Sequence, residues 1–362
     1  MRRALALWLL LFGVYAATLE IDAYSADEPH HLQAVERLAR HGDFDVDAEP
    51  YGIGFPLLIL PAYELAGTTG VELFLAALAA LAVALAYRLA LRAAPDPWAL
   101  GAAAAVGLSA PLLAYSTVLS PELPAAAALT GAALLALRID ERPGWRRAFG
   151  CFALLAVLPW LAVGFVPAGA VIGLVAARAI WRSRRRTLAI GSIELALFSV
   201  ALLVGINEAL YDGPTPSDDP FGSASVTDRV SGLAVLRWAP LFLLAFVGVW
   251  WLWRSRREGL ARAVPLLHGV ELTAGLCAAV IGVQLVVAAL TDRDLIAVLP
   301  LAAPLVALGL RRLPRAGIAL AAASVAIAVW VYADVRWGDG SFADVASHQP
   351  SMRLTNLLGL SA

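Results

Sequence analysis

The sequence contains no lysine: all 27 basic residues are arginine, a bias that points to genome composition rather than to a task. Charge of either sign is scarce. Charged residues make up 15% of the 362 positions and hydrophobic residues 60%. A soluble domain carries about 25% charged residues, so a water-solvated globule is excluded for most of this length. Cysteine is nearly absent too. Cys151 and Cys277 fall in separate apolar segments, which leaves no disulfide framework and no zinc-ligand spacing, and both are expected as small buried hydrophobes. No Walker loop, nucleophile elbow, Rossmann glycine pattern or zinc motif stands in a usable context. The scattered glycines lie in apolar runs, where they serve close helix packing.

What is abundant is apolar sequence in blocks. A bilayer core takes about 20 apolar residues per helix. The windows predict an all-α polytopic membrane protein of about eleven spans, over 4–19, 71–91, 98–117, 122–138, 148–161, 163–181, 187–209, 234–253, 267–290, 295–310 and 316–333. The fifth and sixth meet at Pro159–Trp160 with almost no loop, as a tight hairpin or as one broken segment. Residues 1–334 form the transmembrane unit and 335–362 a short outer tail, with no internal repeat. The first apolar stretch, behind Arg2 and Arg3, could pass for a signal peptide but is expected to be retained as an anchor.

Arginine placement sets the orientation, because cytoplasmic loops collect positive charge. With the N-terminus inside, 20 of the 27 arginines fall at cytoplasmic borders, among them Arg2, Arg3, Arg146, Arg147, Arg184 to Arg186, Arg311 and Arg312. By the same segmentation 22 of the 28 acidic residues lie outside, and a shift by one helix would destroy both asymmetries. The expected localisation is the cell membrane, with the first loop and the C-terminus outside.

Ionisable groups are rare in the spans, with Glu194 and Glu271 the main exceptions, both near cytoplasmic ends. Intramembrane charges mark ion and proton paths, so their scarcity counts against a proton-coupled transporter. The outer side is richer. The first outer loop, 20–66, carries Asp27, Glu28, His30 and His31. Leu32, Val35, Leu38 and Ala39 then recur at helical spacing between Glu36, Arg37 and Arg40, an amphipathic helix suited to the membrane surface. The apolar stretch 57–66 is too short to span comfortably and is expected to dip into the outer leaflet. Three further outer clusters are Ser120-Pro121-Glu122, the polar loop 210–233 and Asp292-Arg293-Asp294.

Each cluster has a plain structural reading. Asp27 precedes a helix with Pro29 in its first turn, the place of an N-cap, and Ser25 with Glu28 fits a capping box. A capped aspartate can still aim one oxygen outward. Adjacent histidines point to different faces of a helix, so His30 and His31 make a poor chelating pair. Arg293 between two aspartates is by default a salt-bridged border residue, though its guanidinium also suits a lipid phosphate.

The run from Asp27-Glu28 through Gly42-Asp43-Phe44 to Tyr51-Gly52-Ile53-Gly54-Phe55-Pro56 and Pro61-Ala62-Tyr63 resembles the GT-C membrane glycosyltransferases. Its nearest relatives there are the protein O-mannosyltransferase and aminoarabinose-transferase-like members. Asn207 before Tyr211-Asp212-Gly213, then Phe221-Gly222-Ser223, Trp238-Ala239-Pro240, and Asp292-Arg293-Asp294-Leu295-Ile296 through Leu299-Pro300 extend the resemblance to the tenth span. Order and topology together carry it, since no single motif is specific.

The resemblance implies a glycosyltransferase of the hexosyl or pentosyl class in cell-envelope glycosylation. It would use a polyprenyl-phosphate sugar donor, a hydroxyl acceptor and inversion on the outer face, with lipid but no nucleic acid as partner. Asp27, with Glu28 beside it, would be catalytic. Asp27 would act as general base on the acceptor, a role worth about 10²–10⁴-fold, or as part of a divalent metal site in some branches. Glu122, Arg293, His30, His31 and Tyr51 would bind substrate, with Arg293 facing the leaving phosphate. His31 stands where many relatives have tyrosine, and Glu122 where the aminoarabinose branch has aspartate, which leaves the acceptor open. The rival reading is a lipid or glycolipid transporter, which would call for a polar central path and paired half-structures.

Overall fold

The protein is described here from a computed structural model, over residues 1–19, 28–42, 52–116, 118–183, 186–215, 239–257, 265–290 and 295–337. Among these residues helices account for nearly everything and there is no strand. In hydrocarbon every backbone amide must be satisfied internally, and a chain with this hydropathy meets that demand by helix. Helix α1 is Arg2–Ala17, α2 Glu28–His41, α3 Gly54–Ala90, α4 Asp96–Gly107, α5 Ala110–Tyr115, α6 Glu122–Glu141 and α7 Trp145–Leu161. Then follow α8 Val166–Arg182, α9 Arg186–Tyr211, α10 Leu243–Arg257, α11 Pro265–Leu290, α12 Ala303–Arg312 and α13 Pro314–Trp337.

Six helical stretches among the described residues are long and apolar enough to cross a membrane: Gly54–Ala90, Glu122–Glu141, Val163–Arg182, Ile190–Tyr211, Gly269–Ala288 and Pro314–Tyr332. The chain is a membrane protein. Several other expected spans are shorter or interrupted, for local reasons. The 98–117 window breaks between α4 and α5, where Ser109 Oγ turns back onto the Val106 carbonyl (2.6 Å) and Pro111 can extend no helix backwards. The 295–310 window opens as the 3-10 helix Ile296–Ala302 around Pro300 before becoming α12.

The stretch expected at 57–66 forms the first arm of α3, and non-helical backbone at Ala66 and Gly67 sets it off from the span after it. Gly67 adopts φ 62, ψ −147, a conformation that glycine alone tolerates because it has no Cβ. The fifth and sixth windows are two helices. Ala162 is extended between them, and a Cβ on Gly169 would lie 2.6 Å from Leu158 Cδ1, so α7 and α8 fold back tightly.

Helix α6 sits at the centre, 89% of its apolar window buried, packed against α3, α7, α8 and the 3-10 helix 296–302; the α9 window, 17% buried, is left for lipid. The inward faces are rich in alanine and glycine. Between lipid-solvated helices the hydrophobic effect gives little drive, and small residues let backbones approach for dispersion contact. Polar side chains stitch the bundle: Tyr15 Oη donates to the Gly107 carbonyl (2.7 Å) and Trp8 Nε1 to the Ala77 carbonyl (3.1 Å). Both cysteines are buried thiols, and Cys151 Sγ points at the Ala132 carbonyl.

Candidate active site

Helix α2 begins at Glu28 with Pro29 in its first turn. Its apolar face lies on α3, with Ala34 and Val35 fully buried, while Glu36 and Arg40 pair at 2.8 Å one turn apart. His31 is only 2% exposed and meets the Phe55 ring edge-on at 4.9 Å, whereas His30 is exposed. The two histidines therefore face different ways and make no chelating pair.

Glycines fix the chain around α2. Gly42 follows the last turn with φ 64, and its N–H donates to the Leu38 carbonyl (3.1 Å), a left-handed helix stop. Gly52 has φ 98 just before α3. A Cβ on Gly54 would overlap the Trp160 carbonyl, so the start of α3 rests directly on the backbone at the end of α7. These glycines of the Gly42-Asp43 and Tyr51-Gly52-Ile53-Gly54 motifs thus have steric reasons of their own.

Glu122 is the first residue of α6, 7% exposed, behind Pro121 and the buried Ser120. The 3-10 helix 296–302, which starts just after the Asp292-Arg293-Asp294 cluster, packs on α6 and α3. The elements next to the three candidate clusters thus all meet α3: helix α2, helix α6 and the 3-10 helix 296–302 each pack on it. Asp27, Tyr51 and Arg293 themselves lie outside the described residues, as do the side chain of Glu28, loop residues 216–238 and the tail 338–362. Among the described residues no group of three or more His, Cys, Asp or Glu side chains could hold a metal ion.

Other matched motifs have visible structural work. Asn207 Nδ2 donates to the Pro214 carbonyl (3.1 Å), pinning the turn through Asp212, whose φ is 52. Pro240 opens a short 3-10 turn leading into α10, and the Leu241 N–H donates to Ser324 Oγ (2.9 Å).

One polar residue escaped the sequence reading. Gln284 in α11 is fully buried, and neither its amide oxygen nor its nitrogen has a hydrogen-bond partner among the described residues. A buried unpaired amide is costly and asks for an explanation. Helix α11, which carries it, packs on the 3-10 helix 296–302.

Comparison with solved structures gives crystal structures of ArnT from Cupriavidus metallidurans. The apo form aligns with TM-score 0.63 and 16% identity over 92% of this chain; the form bound to undecaprenyl phosphate aligns with TM-score 0.62 and 17% identity over 97%. The chain has the fold of these ArnT structures. The match covers 65% of the apo ArnT chain and 74% of the complexed one, so this chain spans about two thirds of the length of the apo protein. No protein-family model and no curated protein matches. At this identity the likeness is one of fold alone.

Proposed function

We propose that the chain is a membrane glycosyltransferase. It moves a sugar from a polyprenyl-phosphate donor to an acceptor hydroxyl on the outer face, with inversion at the anomeric carbon. The observation that carries this reading is the fold likeness over nearly the whole chain to ArnT, one of whose structures holds undecaprenyl phosphate.

In the proposed reaction the acceptor oxygen attacks the anomeric carbon, the bond from that carbon to the phosphate oxygen breaks, and polyprenyl phosphate leaves. Asp27 takes the proton from the attacking hydroxyl. Glu28 supports that carboxylate from the first turn of α2, a helix end that favours negative charge. Arg293 faces the leaving phosphate, where charge develops in the transition state. Glu122, desolvated at the start of α6, accepts a hydrogen bond from a sugar or acceptor hydroxyl. His30 and Tyr51 complete the polar wall, and His31 shapes it through its packing on Phe55.

The test compares Asp27→Asn and Glu122→Gln with the parent chain in reconstituted membranes. Asp27→Asn should abolish transfer while leaving an inserted, folded protein. Parental activity in that variant would remove Asp27 from the mechanism.

A further inference from the structure

Five arginines gather around one cavity at the end of the bundle away from the His31–Phe55 contact. Arg2 and Arg3 come from the start of α1, Arg88 and Arg92 from the end of α3, and Arg138 from the last turn of α6. The cavity is open, about 630 Å³, and Tyr87 forms part of its wall.

Two carboxylates answer this charge. Arg3 pairs with Asp96, whose other oxygen accepts from the Tyr87 hydroxyl. Arg92 Nη2 bonds Glu141 Oε1 at 2.6 Å, and its Nε reaches Thr273 Oγ1 at 3.4 Å. Five guanidinium groups against two carboxylates leave three positive charges, those of Arg2, Arg88 and Arg138, which make no ion pair among the described residues. Arg138 also lies in the field of Arg88, Arg92 and Arg147, which Glu141 opposes.

A general excess of arginine at one membrane side accounts for scattered flanking charges, not for five that line one concavity, where like repels like. A bound anion would relieve that repulsion. The guanidinium fork matches phosphate oxygens, and basic pockets between helices take phosphorylated lipid head groups. Beside the arginines and Tyr87 the wall carries the apolar side chains of Met1, Ala4, Leu91 and Leu134, which suit a ligand with a hydrocarbon continuation better than free phosphate.

We propose that this cavity binds the phosphate of an anionic phospholipid, remote from the outer-loop residues and independent of glycosyl transfer. The bound head group ties α1 to α3 and α6.

The test uses the full chain purified in neutral detergent and measures lipid retention by native mass spectrometry. It is titrated with phosphatidylglycerol, with phosphatidylcholine, and with phosphatidylglycerol in competition with inorganic phosphate. Phosphatidylglycerol should bind saturably and at least tenfold more tightly than phosphatidylcholine. The double variant Arg88→Gln/Arg138→Gln should weaken it at least fivefold. Arg2→Gln, a change at an exposed position that leaves the packed helices untouched, should weaken it two- to threefold and decides the matter if the double variant does not fold. Arg182→Gln, exposed on α8 and outside the cavity, should change nothing. Unchanged binding in the cavity variants, or an equal loss in Arg182→Gln, would overturn the site. Full displacement by inorganic phosphate at matching concentration would overturn a lipid as its occupant.

Discussion

A carboxylate in the first turn of a helix is favoured by the helix end, and Glu122 holds that place on the central helix α6. Glu122 is nearly enclosed, and a charge in such a place must be paired or hydrogen-bonded. If it holds a substrate hydroxyl, Glu122→Gln keeps the shape and removes a charge-assisted hydrogen bond. That bond is worth about 1.5–3 kcal/mol, so kcat/KM should fall by about 10- to 100-fold with an unchanged melting temperature. The contrasting case is Gly54, whose role is purely steric. Gly54→Ala would push a methyl into the Trp160 carbonyl, and a loss of about 1–3 kcal/mol should appear as a lower melting temperature in detergent. Residues of the first kind were partly legible in the sequence. Ser120-Pro121-Glu122 stands out as a polar island between apolar runs, whereas Gln284 does not, because one neutral amide barely alters the hydropathy of its span. Gly54 could be quoted as part of a motif, but its contact with residue 160 is a fact of tertiary structure.

At the scale of elements, glycine decides how closely helices meet. Helices α10 and α12 cross antiparallel with backbone nearly on backbone: a Cβ on Gly248 would fall on the Leu305 carbonyl, and one on Gly309 on the Leu244 carbonyl. Replacing Gly309 with leucine should force the pair apart and cost more stability than the same change at exposed Gly101, where nothing lies within 4 Å. Thermal unfolding of the two variants compares them directly. The amphipathic helix was readable from the spacing of Leu32 and Val35, and α2 is present at Glu28–His41. Its packing against α3, with His31 turned inward, was not readable, since a histidine beside another histidine carries no sign of which one is covered. The kink in α3 shows the same limit. The sequence marks a weak point near Gly67, but hydropathy cannot distinguish a kink in one helix from a gap between two.

Over the whole molecule, Arg3, Arg92 and Arg147 and their partners lie where the starts of α1, α4 and α7 meet the ends of α3 and α6, while His31, Phe55 and Trp160 mark the other end. The arginine count makes the first end the expected cytoplasmic one. Since both native thiols are buried, a single cysteine can report the side. His30→Cys, on exposed α2, should react with a membrane-impermeant maleimide in intact cells, and Arg182→Cys should react only after permeabilisation. The reverse pattern would invert the topology and move the proposed site to the cytoplasm. Fold class was legible because apolar blocks and charge borders repeat along the entire chain. The candidate site is readable in the sequence only as separate clusters, because bringing clusters together depends on contacts between residues far apart in sequence.

The most direct test of glycosyl transfer follows the donor. The purified chain in proteoliposomes is given a labelled polyprenyl-phosphate sugar and a mixture of hydroxyl acceptors, and polyprenyl phosphate and glycosylated product are quantified together. The account predicts that both appear in equal amounts, and that both vanish with Asp27→Asn. Movement of the intact lipid-linked sugar across the bilayer, with no polyprenyl phosphate released, would contradict it and make the chain a transporter.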